Sequence, residues 1–191
     1  MDPDQAGGGE PEIGRRRFLM LGAAALVSAT ALPLEEAEAA ARTLPPRRLS
    51  FLNLHTGERL SAEYWSKGRY QKDALRAIDK VLRDHRTGAL HPIDPRLLDL
   101  VHALHAKLGR RDPLHVISGY RSPETNAMLH ETTDGVANLS YHMRGMAIDI
   151  RMPGVDTRRI YRAALSLRRG GVGYYRRSNF VHVDVGPVRT W

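Results

Sequence analysis

The feature of this sequence that most constrains the fold is a run near its end, Phe180-Val181-His182-Val183-Asp184-Val185. Valine occupies every second position, and the side chains of a β-strand point alternately to its two faces. The run therefore predicts a strand whose all-valine face is directed into a hydrophobic core. The other face carries the imidazole of His182 and the carboxylate of Asp184 side by side, next to an aromatic ring.

A second predicted strand, Gly145–Met152, carries a carboxylate among apolar neighbours. Asp149 lies between two isoleucines, and a buried carboxylate is costly unless it is paired or bound to a metal. His142 lies just upstream, where a loop of small and polar residues enters the strand. The partner of Asp149 is therefore either a cation such as Arg144 or Arg151, or a metal ion.

Together, His142, Asp149 and His182 offer two imidazoles and one carboxylate. This set suits a catalytic zinc ion, because a fourth position stays open for a water molecule that zinc activates. The chain has no cysteine, which excludes disulfide scaffolds, cysteine zinc fingers and thiol nucleophiles and leaves histidines and carboxylates as metal ligands. Spacing alone leaves another interpretation open, in which His182 is a hydrogen-bonded core histidine.

Helical and strand periodicities occur in mixed order along the rest of the chain, which favours an α+β fold. Turn and capping residues separate them, including an Asp94-Pro95 helix start. Three close glycines, Gly170, Gly171 and Gly173, predict a flexible turn. The predicted strands are 49–54, 59–65, 114–120, 145–152 and 180–185, and the predicted helices are 70–84, 95–108, 122–131 and 156–169.

The first 39 residues have the organisation of an export signal. Arg15-Arg16 precedes Phe18-Leu19 with the spacing of a twin-arginine signal, and an alanine-rich apolar stretch follows as far as Leu32. Ala37-Glu38-Ala39 is typical of a signal peptidase cleavage site. A basic amphipathic helix of the mature protein is disfavoured because the alanine-rich stretch has no polar face. An uncleaved anchor is the remaining alternative.

The net charge of residues 40–191 limits which binding partners are expected. The whole chain has a formal net charge of +8, from 29 basic and 21 acidic residues. Residues 1–39 hold three of the basic and seven of the acidic residues, so residues 40–191 carry 26 against 14, a net charge of +12. A cationic exported protein is expected to meet a polyanion, and cell-wall polymers fit that location whereas nucleic acid does not. Residues 40–48, which include a proline pair, are expected to be a linker.

Three blocks of the sequence, in the expected order, resemble one known family. Residues 140–149, S-Y-H-M-R-G-M-A-I-D, resemble the zinc signature S-x-H-x-x-G-x-A-x-D of the D-Ala-D-Ala carboxypeptidase superfamily, which has hedgehog domains as distant relatives. Residues 118–122, S-G-Y-R-S, resemble the upstream strand and arginine motif of that family. Residues 170–191 are similar to a branch of exported murein endopeptidases.

The resemblance implies that residues 49–191 form a zinc peptidase domain. It implies a small antiparallel sheet backed by helices, with one Zn²⁺ per chain held on the sheet face by His142, Asp149 and His182. The implied reaction is hydrolysis of the peptide cross-links of bacterial peptidoglycan by zinc-activated water, in the periplasm or cell envelope. The expected partners are peptidoglycan and the twin-arginine translocation machinery, with no nucleic acid and no stable membrane span after cleavage. The oligomeric state stays open.

The resemblance also assigns roles to two residues outside the ligand set. Arg121 resembles the substrate-contacting arginine of the family, where a guanidinium grips a peptide carboxylate or polarises the scissile carbonyl. Ser140 is expected to hydrogen-bond substrate. The alternatives are that Arg121 forms an ion pair with Glu124 or Asp149, and that Ser140 only shapes its loop.

One position departs from the family pattern. Many members place Glu or Asp three residues before the last ligand, where this chain has Asn179, whose amide cannot act as a base. Asp184 is the obvious substitute as catalytic base because it shares a strand face with His182. Alternatively, Asp184 only orients His182 through a hydrogen bond. The sequence leaves both roles open.

Two further functions compete with the endopeptidase. A D,D- or L,D-carboxypeptidase that trims stem peptides would use the same metal chemistry, and Asn179 favours a non-catalytic peptidoglycan-binding module. An exported oxidoreductase is discounted because no G-x-G-x-x-G fingerprint opens a helix. The other seven histidines show no ligand pattern and are expected to be surface or core residues: His55, His85, His91, His102, His105, His115 and His130.

The export signal makes a direct prediction. Changing both Arg15 and Arg16 to Lys should trap the uncleaved precursor in the cytoplasm, because the twin-arginine route reads that pair. Immunoblotting of cell fractions measures the precursor and the product cleaved after Ala39. Normal export of the double mutant would contradict the assignment.

Overall fold

Eight strands form one sheet in the part of the chain that the computed structural model describes, residues 44–133 and 137–191. The strand order is β3-β2-β1-β4-β5-β7-β6-β8. The predicted export signal, residues 1–39, lies outside the described residues. The strands are β1 (Arg47–Asn53), β2 (Arg59–Ser66), β3 (Arg69–Tyr70), β4 (Leu114–Ser118), β5 (Ala147–Arg151), β6 (Gly171–Tyr175), β7 (Phe180–Asp184) and β8 (Arg189–Thr190).

Four α-helices and one short 3₁₀ turn connect these strands within the same residues. They are α1 (Lys72–Val81), α2 (Pro95–Lys107), α3 (Pro123–Thr132), the 3₁₀ turn Tyr141–Arg144 and α4 (Thr157–Leu167). The α+β class is thereby confirmed. None of the described helices has the length and apolarity that a membrane crossing requires.

The sheet is mixed rather than wholly antiparallel. Most neighbouring strands run antiparallel, as expected, but β1 pairs with β4 and β6 pairs with β8 in parallel. A parallel pair needs a crossover connection, which α1 and α2 supply between β1 and β4. This crossover brings the end of β4 next to the β1–β2 hairpin, where one end of the cleft described below is formed.

The first strand begins inside the segment that was expected to be a linker. Arg47 pairs with Trp65 of β2, and its guanidinium carbon lies 4.7 Å from the centre of the Trp65 ring. Its Nη1 also donates to Asp99 at 2.6 Å. These contacts are all distant in sequence, so the composition of residues 40–48 did not reveal them.

The glycines expected to form a flexible turn belong largely to β6. A Cβ added to Gly173 would lie 2.7 Å from the ring of Trp191, and one added to Gly171 would lie 2.5 Å from the Asp184 carboxylate. Here the missing side chain allows close approach of the C-terminal segment to the sheet, and it does not mark a mobile turn.

One face of the sheet packs against α1, α2 and α4, and the other face carries the polar residues. Because side chains alternate, Val181 and Val183 of β7 enter the core cluster while His182 points to the opposite face. Asp149 of β5 is the register partner of His182. The core also contains Leu49, Phe51, Tyr64, Ile78, Leu97, Leu98, Val101, Leu104, Leu114, Val116, Ile148, Ile150, Ile160, Ala164 and Val172.

Gly145 ends the 3₁₀ turn in a left-handed conformation, with φ of +63°. A Cβ at this position would collide with the carbonyl oxygen of Pro92. Replacing Gly145 by Ala should therefore cost the strain of a left-handed alanine, about 1 kcal/mol, and at least as much again for the collision. Gly57→Ala is the matched control, because Gly57 has φ of +72° but nothing near its missing Cβ. Denaturant unfolding of both variants measures the difference, and equal losses would contradict the collision.

Candidate metal centre

Three buried polar side chains meet on the open face of the sheet, as the sequence predicted. Asp149 and His182 face each other across β5 and β7, and the 3₁₀ turn brings His142 beside them. Asp149 Oδ1 lies 2.9 Å from His182 Nδ1 and 3.3 Å from His142 Nε2. The two nitrogens lie 3.1 Å apart. One oxygen and two nitrogens therefore form a nearly equilateral triangle.

The orientation of His142 is set by its other nitrogen. His142 Nδ1 lies 2.7 Å from the carbonyl oxygen of Gly119, which can only accept, so Nδ1 carries the proton and Nε2 keeps its lone pair. Gly119 can occupy this position, between His142 and Leu82, because it lacks a side chain. A Cβ on Gly119 would lie 2.8 Å from the Cβ of Leu82. The backbone N–H of Arg121 completes the arrangement by donating to the carbonyl of His142 at 3.2 Å.

His182 is oriented in the same way by Asp184. Its Nε2 lies 3.1 Å from Asp184 Oδ2, so Nε2 donates a proton to the carboxylate and Nδ1 faces the triangle. Asp184 is fully buried, with 0% exposure. Its two oxygens also accept from Arg189 at 2.6 and 3.1 Å and from the backbone N–H groups of Gly171 at 3.1 Å and Gly186 at 2.8 Å.

Those contacts bear on the two roles that the sequence left open for Asp184. A base must have a free lone pair directed at the proton it takes, whereas both oxygens of Asp184 are already engaged by donors. The geometry favours the orienting role. Arg189, which sequence reasoning missed, strengthens it: the guanidinium is held 5.0 Å from the ring centres of both Tyr141 and Trp191. No local sequence pattern connects Arg189 with Asp184.

The protonation states of Asp149 and His182 favour a bound positive charge at this centre. Burial alone would raise the pKa of Asp149, but the charges and hydrogen bonds of His142 and His182 lower it well below its ordinary value. Burial likewise opposes a charge on His182, yet its hydrogen bonds to Asp149 and Asp184 raise its pKa to about 9. The buried carboxylates of Asp149 and Asp184 therefore stay ionised, and they stabilise a positive charge on the groups between them.

The residues present fit a zinc ion. With zinc–ligand distances near 2.0–2.1 Å and tetrahedral angles, neighbouring ligand atoms lie about 3.3 Å apart. The edges of the triangle, between 2.9 and 3.3 Å, are close to that spacing. Two imidazole nitrogens and one carboxylate oxygen are ordinary zinc donors, and the other nitrogen of each imidazole is already occupied. Arg144 and Arg151, the alternative partners of Asp149, form no ion pair with it.

A cleft of about 750 Å³ surrounds this group. Arg121 lines it, and its Nη1 donates to Asn126 Oδ1 at 3.3 Å. Within the described residues Arg121 forms no ion pair with Glu124 or Asp149, and its buried Nε has no hydrogen-bond partner. A buried donor without a partner is costly, and Arg121 is a residue of the cleft wall, where a bound ligand can supply an acceptor.

Ser140 also lines the cleft and at the same time shapes the loop. Its Oγ accepts from the backbone N–H of His142 at 3.3 Å at the start of the 3₁₀ turn. Asn179 lies elsewhere. It adopts φ of +54° in the turn between β6 and β7 and lines a separate hollow with His115 and Asp156. The amide at position 179 is therefore not among the residues that line the cleft.

Comparison with known proteins gives one family. Residues 41–191 match the family described as Peptidoglycan L,D-endopeptidase MepK. Curated relatives with that name include one from Escherichia coli K12, 45% identical over 180 residues that cover 94% of this chain and 98% of the relative. A protein from Haemophilus influenzae named Probable peptidoglycan L,D-endopeptidase MepK is 45% identical over 178 residues, 93% of this chain and 95% of the relative. No solved structure matches this chain significantly.

The orienting role of Asp184 can be tested with Asp184→Asn. An amide cannot accept both the His182 proton and the Arg189 guanidinium as a carboxylate does, so the imidazole loses its fixed orientation. Zinc affinity should fall about ten- to a hundredfold, and the hydrolysis rate should fall with it. Chelator competition and murein hydrolysis are measured on the same preparation, with Asp73→Asn, an exposed aspartate of α1, as control.

Arg189→Met should move zinc affinity in the same direction, because it removes two donors to Asp184. One outcome would instead support Asp184 as the catalytic base. In that case Asp184→Asn would keep normal zinc affinity but lose roughly a hundredfold or more in hydrolysis rate. Normal affinity with a normal rate would remove it from both roles.

Proposed function

The chain belongs to the family of peptidoglycan L,D-endopeptidases described as MepK, and from that membership we propose that it is a zinc-dependent endopeptidase that hydrolyses peptide cross-links of bacterial peptidoglycan. The observation that carries the proposal is the convergence of His142 Nε2, His182 Nδ1 and Asp149 Oδ1 within 3.3 Å of one another. Both imidazoles turn inward the nitrogen that a metal ion would coordinate, toward the same point.

The three side chains would hold one zinc ion per chain. When bound, zinc supplies Lewis-acid polarisation and lowers the pKa of a coordinated water toward neutral. The work of this chain's own residues is orientation: Gly119 fixes the tautomer of His142, and Asp184 fixes that of His182. The ring centre of Trp191 lies 5.2 Å from that of His182.

Arg121 and Ser140 are the proposed substrate contacts. The unpartnered Nε of Arg121 supports a hydrogen bond to a peptide carbonyl or carboxylate oxygen, where a guanidinium stabilises developing negative charge. Ser140 has one hydroxyl proton to donate, since its contact to His142 uses it as an acceptor. Both residues line the cleft that contains the metal-ligand group.

The strand order favours cleavage within a chain over trimming at its end. Two of the three candidate metal ligands, Asp149 and His182, lie on β5 and β7, in the middle of the sheet. The lining of the cleft continues on one side to Ser118 at the end of β4, and on the other to Tyr175 at the end of β6. An endopeptidase must hold peptide on both sides of the bond that it cuts, and this cleft offers lining on both sides.

The position of Asn179 weakens the argument for a non-catalytic binding module. That alternative rested on an amide where many relatives carry a base. The side chain at position 179 lines a separate hollow, so its identity says little about chemistry in the cleft.

Export through the twin-arginine route to the periplasm remains part of the proposal. It is supported by the Arg15-Arg16 signal and by the family match, which begins at residue 41, directly after the expected linker start. The substrate of the named relatives is a cell-wall polymer, which is consistent with such a location.

Removal of a ligand tests both the metal and the reaction. His182→Ala leaves two of three protein ligands, so zinc content should fall from about one per chain to a small fraction, and hydrolysis should fall at least a hundredfold. Chelation of the wild-type protein should have the same effect and be reversed by added zinc. His105→Ala, a histidine of α2 outside the cleft that bonds Asp112, is the control.

Mass spectrometry of digested cross-linked murein identifies the reaction. An endopeptidase converts cross-linked dimers into monomers, whereas a carboxypeptidase releases single residues from uncross-linked stems. Full activity of metal-free protein would refute zinc dependence, and intact murein after treatment with the zinc-loaded protein would favour the binding module.

A further inference from the structure

The end of the cleft nearest the β1–β2 hairpin is built from two histidines and an arginine. His55 follows β1 and His85 follows α1, and their rings stack with centres 3.8 Å apart and planes within 2°. Arg86 is the next residue, and all three line the same cleft as the metal-ligand group. The sequence placed both histidines only as surface or core residues; the stack brings together positions thirty residues apart.

The hairpin that carries His55 is tied to the fold by a buried amide. Asn53, only 3% exposed, accepts from the backbone N–H groups of His55 at 2.9 Å and Thr56 at 3.2 Å. The same side chain donates to the carbonyl of Val81 at the end of α1, at 2.9 Å. The position of His55 is thereby fixed relative to the segment that carries His85.

The segment that carries Arg86 is held by a buried carboxylate. Asp84, 1% exposed, accepts from the backbone N–H of Arg86 at 2.8 Å. Its other oxygen accepts from the backbone N–H and the hydroxyl of Ser122, both at 2.8 Å. Ser122 in turn caps α3 and directly follows Arg121. The walls of this end of the cleft are therefore preformed.

The same end of the cleft carries two arginines that form no ion pair within the described residues. The guanidinium of Arg86 makes no hydrogen bond or ion pair within the described residues, and Arg121 Nε has no partner. Burial lowers the pKa of Arg121, and the charge of Arg86 lowers it further, although Asp149 and, more weakly, Asp84 oppose them. Asp149 is the one acidic residue that lines the described cleft, and its oxygen is engaged by two imidazoles. An anion bound by Arg86 would offset its repulsion of Arg121.

We propose that Arg86, beside the His55–His85 stack, forms a subsite for a free carboxylate of the cell-wall peptide, away from the bond that is cut. The inference rests on the proposed function for the source of the carboxylate. Guanidinium groups bind carboxylates through paired, charge-assisted hydrogen bonds. Burial, with His55 and Arg86 nearby, lowers the pKa of His85, so its imidazole is neutral at pH 7 and adds a hydrogen-bond donor without further charge.

The experiment compares two cross-linked peptides that differ only in a carboxylate remote from the scissile bond, free in one and amidated in the other. Isothermal calorimetry with zinc-loaded protein and non-cleavable versions of both peptides measures binding without turnover. The wild type should bind the acid about tenfold more tightly than the amide. In Arg86→Met, which keeps a long side chain without the charge, this ratio should fall to about one.

Arg162→Met is the matched control, because Arg162 is an exposed arginine of α4 outside the cleft and its variant should keep the tenfold ratio. Zinc content and the thermal midpoint of Arg86→Met show whether the fold is retained. If that variant unfolds, His85→Phe, which keeps a ring against His55 but cannot donate a hydrogen bond, should lower the same ratio. An unchanged ratio in folded Arg86→Met, or equal binding of both peptides by the wild type, would overturn the subsite. Absence of hydrolysis by a protein that still prefers the acid would instead overturn the proposed function alone.

Discussion

The structure depends on the contacts that keep the buried carboxylate of Asp149 ionised. A buried charge is costly unless partners surround it, and here two imidazoles contact one of its oxygens at 2.9 and 3.3 Å. The cross-strand register of β5 and β7 supplies one imidazole, and the 3₁₀ turn supplies the other. Because both nitrogens face inward, the arrangement that stabilises Asp149 is also one that can hold a metal ion.

Orientation of the two imidazoles comes from groups outside the ligand set. His142 donates to a backbone carbonyl at a glycine that tolerates close packing, and His182 donates to a carboxylate saturated by Arg189 and two backbone N–H groups. A ligand whose second nitrogen is engaged cannot rotate or change tautomer freely, so less ordering remains to be done when the metal binds. Within the C-terminal segment, Arg189 contacts Asp184, the residue that orients His182.

The division of the sheet into two faces explains why the site and its cleft share one side. Valines of β7 and isoleucines of β5 pack on the helices α1, α2 and α4, which leaves the alternate residues of the same strands on the opposite face. The cleft that runs over that face from His55 to Trp191 is rich in arginine, and Asp149 is the one acid lining its described part. The charge of such a surface complements that of an anionic ligand.

Sequence alone determined the class of the fold and the identity of the three candidate ligands. Alternation in 180–185 and the carboxylate between isoleucines at 149 are local patterns that follow directly from strand geometry. The contacts of Asp184, Arg189 and the His55–His85 pair were decided only by tertiary structure. The guanidinium of Arg189 contacts the carboxylate of Asp184, five residues earlier in the chain. The imidazoles of His55 and His85 stack although they are thirty residues apart, and buried Asn53 and Asp84 hold the two segments that carry them. Periodicity describes which face a residue takes, but which distant side chain meets it depends on how the strands are ordered and crossed.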